Sequence, residues 1–85
     1  MNISKHEQRV LHELALGGEI RYLRNENSKI REVTCHTRDG HVLSDCTLAV
    51  FKSLKSKKFV SSKKGQPYRI TRLGVRSVRS QMNQR

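Results

Sequence analysis

The chain has 85 residues, 34% of them hydrophobic, and carries a formal net charge of +11. That length holds one small core, so a single domain over residues 1–85 is expected, and no apolar run approaches the ~20 residues that cross a bilayer. With no apolar leader segment and two cysteines, too few for a disulfide framework, the chain reads as cytoplasmic, with reduced thiols and no membrane partner.

Ser4 followed by Glu7 is the signature of a capping box, and it starts a first helix whose buried stripe is Val10, Leu11 and Leu14. Gly17-Gly18 ends that helix, because glycine takes the left-handed conformation without strain. His6 and His12 are six apart, off a common face, and read as surface histidines. From Glu19 the periodicity turns strand-like: a strand over 19–24, a turn at Asn25-Glu26-Asn27-Ser28, and a second strand over 29–37. The apolar spacing slips between Ile30 and Val33, which predicts a bulge or a late strand start. Asp39-Gly40 then predicts a hairpin turn into a short third strand at 41–43.

The stretch Ser44 to Val60 reads as a helix running into a strand. Leu48, Phe51 and Leu54 recur at helical spacing, with Cys46 and Val50 on the same side, while Lys52, Lys55 and Ser56 lie around the other. Ser44 or Asp45 is the expected cap, and Lys55, Lys57 and Lys58 suit the negative C-terminal end. Next comes a two-stranded ribbon, 59–62 and 67–70, with Lys63 and Lys64 at its tip and Pro67 suited to an edge. Thr71 caps a last helix with a stripe of Val75, Val78 and Met82 and a separate row of Arg72, Arg76 and Arg79.

The charge is segregated. Residues 1–45 hold seven bases and seven acids, whereas residues 46–85 hold eleven bases and no acid. A half-chain without local counter-ions calls for solvent ions or an acidic partner, either nucleic acid or an acidic protein surface. Solubility alone would be served better by mixed signs.

Two kinds of chemistry are disfavoured. Cys35, His36, His41 and Cys46 match none of the usual zinc spacings, and adjacent strand residues face opposite sides, so neither a metal nor any other cofactor is expected. A small ribonuclease would need a positioned acid or base beside the phosphate, and the basic half has no histidine or carboxylate. No catalytic residue is assigned, and the chain reads as a non-enzyme.

The order of helix, antiparallel hairpin or meander, central helix, basic β-ribbon and C-terminal helix predicts an α+β, winged-helix-like single domain. In that architecture the central helix enters the major groove and the ribbon lies along the neighbouring backbone, as in a DNA-binding transcriptional regulator. Lys52, Lys55, Lys63, Lys64, Arg69 and Arg72 would contact phosphates of double-stranded DNA, with Thr47 or Ser53 reaching base edges. Lys58, Arg76 and Arg79 complete the candidate nucleic-acid or partner face. Six phosphate contacts imply a log-log salt slope of roughly −5.

Particular residues also carry a family likeness: Ser4, Glu7-Gln8-Arg9, Leu11-His12, Gly17-Gly18, the run Asp45 to Lys52, Leu54-Lys55, Lys57-Lys58, and Gly65 to Ile70. On these the chain resembles, end to end, the YjhX family of small bacterial proteins. Phe59-Val60 stands where an aliphatic pair such as Leu-Ile is expected and Met82 where leucine is usual, both keeping the apolar character. The resemblance implies the toxin of a toxin-antitoxin pair, an inhibitor of DNA topoisomerase I neutralised by an antitoxin protein. It carries over no mapped contact residues.

Overall fold

In the computed structural model, which describes residues 3–83 and side chains as far as residue 80, the helices and strands follow the sequence periodicity closely. Helix α1 spans Lys5–Ala15. Its capping box is complete: Glu7 N donates to Ser4 Oγ at 3.1 Å, and Ser4 N donates back to Glu7 Oε1 at 3.5 Å. Val10, Leu11 and Leu14 are buried, and Gly17, at φ +110°, turns the chain out of the helix.

Strands β1 (Glu19–Arg24), β2 (Ile30–His36) and β3 (Val42–Leu43) form an antiparallel sheet in the order β1-β2-β3. Ile20 faces Cys35 and both are fully buried. The register skips one residue, Leu23 opposite Glu32 but Arg24 opposite Ile30, so Arg31 is the bulged residue where the apolar spacing slips. Asn25 shapes the turn, its Oδ1 accepting from Asn27 N at 2.9 Å and Lys29 N at 3.0 Å.

Helix α2 spans Leu48–Ser56, and its cap differs from the expected one. Thr47, not Ser44 or Asp45, accepts the first-turn amide, from Val50 N at 3.2 Å. Asp45 is drawn instead to α1, its Oδ2 lying 3.4 Å from Arg9 Nε and 3.8 Å from His6 Nδ1. Cys46 therefore precedes the helix, although it is still buried. Phe51 and Leu54 are 1% and 0% exposed, each stabilising the fold by about 1.5–3 kcal/mol by leaving water.

The helix closes on a two-bond motif. Phe59 N donates to Leu54 O and Lys58 N to Lys55 O, with Lys58 in the left-handed region at φ 64°. Strands β4 (Val60–Ser61) and β5 (Arg69–Ile70) make the ribbon, shorter than its sequence suggests. Its tip is a tight turn with Gln66 N donating to Lys63 O and with Lys64 and Gly65 at φ 52° and 76°, the signs of a type I′ turn.

The ribbon does not stand apart. Ile20 and Tyr68 exchange two backbone bonds of 2.8 Å, joining β1 to the start of β5. Helix α3 spans Arg72–Asn83 and is capped by Thr71, whose Oγ1 accepts from Gly74 N and donates to Lys58 O. Val78 is buried and Val75 half-buried; the expected stripe residue Met82 lies outside the described side chains. One core cluster joins α1, β1, β2, α2, both ribbon strands and α3.

Candidate docking face

The polar side of α2 is where the sequence places it: Lys52 and Lys55 are exposed while Phe51 and Leu54 face the core. The tertiary fold adds the β1-β2 hairpin to that side. Arg24, Ser28, Lys29, Ile30, Phe51, Lys52 and Lys55 line a cleft of about 370 Å³ holding four cations and no carboxylate. Arg24 is held in place, Nη1 donating to Ser28 O at 2.7 Å and the guanidinium lying 5.0 Å from the Tyr22 ring centroid. Tyr22 meets Tyr68 edge-on at 5.4 Å, and Lys55 Nζ lies 5.9 Å from the Tyr68 centroid. Arg24 and Lys55 thus flank one aromatic pair, which orients both cations.

Ribbon and last helix form a second basic recess of about 420 Å³, lined by Lys63, Arg69 and Arg72 together with Ser61, Gln66, Pro67, Ile70 and Thr71. The candidate residues therefore divide between two sites. Lys52 and Lys55 belong to the first, and Lys63, Arg69 and Arg72 to the second. Lys58, Lys64, Arg76 and Arg79 are exposed outside both linings. Thr47 is exposed with its hydroxyl oxygen engaged as the α2 cap, and Ser53 is half-buried.

The basic half is less unbalanced in space than along the chain, because acids from the first half reach across. Lys57 Nζ donates to Glu7 Oε2 at 2.6 Å, and Arg69 Nη2 to Glu19 Oε1 at 3.1 Å. Burial pushes the Glu7 carboxyl up, but the Lys57 hydrogen bond and charge and the Ser4 groups outweigh it, leaving Glu7 below its ordinary value. The Arg21 hydrogen bond likewise lowers Glu19, against some burial, with help from the charges of Arg21 and Arg69. Among the described residues, Lys52, Lys55, Lys58, Lys63, Lys64, Arg72, Arg76 and Arg79 make no ion pair with a carboxylate.

Counting charge along the chain missed Arg24 and Lys29. They sit in the neutral half, where Glu26 and Glu32 cancel them in the sum, yet neither acid lines the cleft. No linear signal marks them, since it is the hairpin's packing beside α2 that makes them neighbours of Lys52 and Lys55.

Elsewhere, Glu13, Leu16, Thr37, Arg38, Asp39 and His41 surround a third recess that shares no residue with the basic ones. The two thiols are paired inside the core: hydrogen bonding with Cys35 and burial push Cys46 up, while the Cys46 hydrogen bond lowers Cys35 against its own burial. Among the described residues, no three His, Cys, Asp or Glu side chains come together as a metal site.

Residues 1–85 match a family model, YjhX_toxin, whose description is "Putative toxin of bacterial toxin-antitoxin pair". The chain belongs to the YjhX family. A UPF0386 protein of Aliivibrio fischeri is 64% identical over 85 residues, covering all of both chains. UPF0386 proteins of Beijerinckia indica and Caulobacter vibrioides are 56% and 54% identical over the full chain, covering 100% and 93% of those relatives. No solved structure matches the chain. Membership in the YjhX family implies an antitoxin partner, and no helix among the described residues is long and apolar enough to cross a membrane.

Proposed function

We propose that the chain acts by binding and not by catalysis, as a toxin that inhibits DNA topoisomerase I through its basic face and is neutralised by an antitoxin protein. The observation that carries this reading is the set of exposed cations that have no carboxylate partner among the described residues: Lys52 and Lys55 on α2, Lys63 and Lys64 on the ribbon, Arg72, Arg76 and Arg79 on α3. Two lysines of the tract, Lys58 and Lys64, are held at φ 64° and 52°, where a residue with a Cβ costs about 1 kcal/mol relative to glycine.

A second reading, a winged-helix-like regulator that binds duplex DNA, is favoured by α2 running through β4 into a turn that carries Lys63 and Lys64. The two separate in one experiment. The purified protein is titrated against topoisomerase I and against duplex DNA at about 150 mM salt, where diffuse phosphate contacts are largely screened. Salt-tolerant binding to the enzyme supports the inhibitor, whatever duplex affinity appears as salt is lowered, and duplex binding with no binding to the enzyme refutes it. The double substitution Lys52→Glu with Lys55→Glu should abolish inhibition without unfolding the chain, since both side chains are exposed.

A further inference from the structure

We infer that the cleft between the β1-β2 hairpin and α2 is a binding site for the phosphodiester backbone of duplex DNA, with Arg24 and Lys29 acting beside Lys52 and Lys55. The inference rests on the reading of the basic side as a docking face and adds to it a site of defined residues and ligand chemistry. Four cations line a volume of about 370 Å³ with no carboxylate among them. Such a cluster repels itself until an anion of comparable charge density enters. Duplex DNA offers about one phosphate charge per 1.7 Å of axis, whereas an acidic protein surface offers at most one charge per residue.

The cleft is also pre-organised. The hairpin is fixed by the Asn25 side chain, Ser28 sits at φ 63°, and Arg24 is tied to Ser28 O at 2.7 Å. Those constraints leave the remaining guanidinium N–H groups to donate to a phosphate, and ordering them costs little on binding. The aromatic groups point to backbone and not to base contacts. Phe51 and Tyr68 are 1% and 7% exposed, and Tyr22 is half-buried with Arg24 over its ring, so no open ring face is available to stack an unpaired base.

The test is the salt dependence of duplex affinity. Fluorescence anisotropy with a 20-base-pair duplex, at salt concentrations from about 50 to 200 mM, compares the wild type with Arg24→Ala/Lys29→Ala and with Lys5→Ala/Arg31→Ala. Lys5 and Arg31 are exposed and lie outside the cleft, so the second variant removes the same net charge elsewhere. The cleft variant should weaken binding about tenfold or more at low salt and lower the log-log slope by roughly 2, while the control moves the slope by much less. Arg24→Lys/Lys29→Arg keeps both charges and should restore most of the slope, which a mere loss of hairpin stability would not allow.

Absence of duplex binding by the wild type overturns the inference. So does an equal change of slope in both alanine variants, or tighter binding to a 20-nucleotide single strand than to the duplex. The readout is DNA affinity alone, so inhibition of topoisomerase I in the same variants bears on the preceding reading and not on this one.

Discussion

Lys57 Nζ lies 2.6 Å from Glu7 Oε2, fifty residues away in the chain, and this bond ties the C-terminal cap of α2 to the first turn of α1. Both side chains are largely buried, at 21% and 10% exposure, so the pair is worth more than a surface salt bridge, and breaking it would strand a half-buried charge. Glu7 also closes the capping box at Ser4, so one carboxylate serves two elements.

Stability should therefore fall in acid through Glu7. Its folded value is lowered from the ordinary 4.5, so its contribution is complete above that pH and is lost as the pH falls through the folded value. Glu7→Gln should cost about 1–2 kcal/mol at pH 7 and flatten the acid limb of the stability curve. Urea unfolding at pH 7 and below pH 4.5 checks this, and an unchanged acid limb in the variant would contradict it.

Lys58→Gly should stabilise the chain. The left-handed φ of 64° is the glycine position of the α2 C-terminal motif, and removing the Cβ relieves roughly 0.5–1 kcal/mol. In a domain of this size that corresponds to a rise in Tm of about 2–8 °C, read by thermal melting. If the Lys58 charge also serves binding, the variant will be more stable and bind less well.

Gly74→Ala should destabilise despite the better helix propensity of alanine. A Cβ there would meet Phe59 O and Ile70 Cγ1 at 2.6 Å each, and although the isoleucine can turn, the backbone carbonyl cannot. Overpacking of this kind costs about 1–3 kcal/mol against a propensity gain of about 1, so a net loss is expected in chemical denaturation. A more stable variant would mean that α3 shifts freely over the ribbon.

Neither thiol should react with a disulfide reagent until the chain unfolds. Acidity would favour Cys35, which the Cys46 hydrogen bond lowers, but Cys35 is 0% exposed and Cys46 7%, so access decides. Kinetics of thiol labelling with and without denaturant measure this, and fast labelling of the native protein would contradict the packing described.

The element order was readable from residues 4 to 80 because each segment keeps one period and carries its own punctuation: the Ser4 box, Gly17, Asp39-Gly40 and Thr71. The slip at Ile30–Val33 likewise located the bulge. Ser44, Asp45 and Thr47 are all competent caps of α2 by type, and local sequence does not rank them; in the fold Thr47 takes the role while Asp45 lies beside Arg9 and His6. The ribbon strands pair only over Val60–Ser61 and Arg69–Ile70, next to Pro67, which has no N–H to extend the ladder, and the Tyr68 backbone bonds to Ile20 on β1.

By itself, then, the sequence determined the helices and strands and the eleven-base, acid-free second half, since propensity, capping and composition act over a few residues. Only the tertiary structure decided which charges remain available. It brought Glu7 to Lys57 and Glu19 to Arg69, and it set Arg24 and Lys29 beside Lys52 and Lys55. Coulomb interactions depend on separation in space, and a count along the chain cannot see which of its ends fold together.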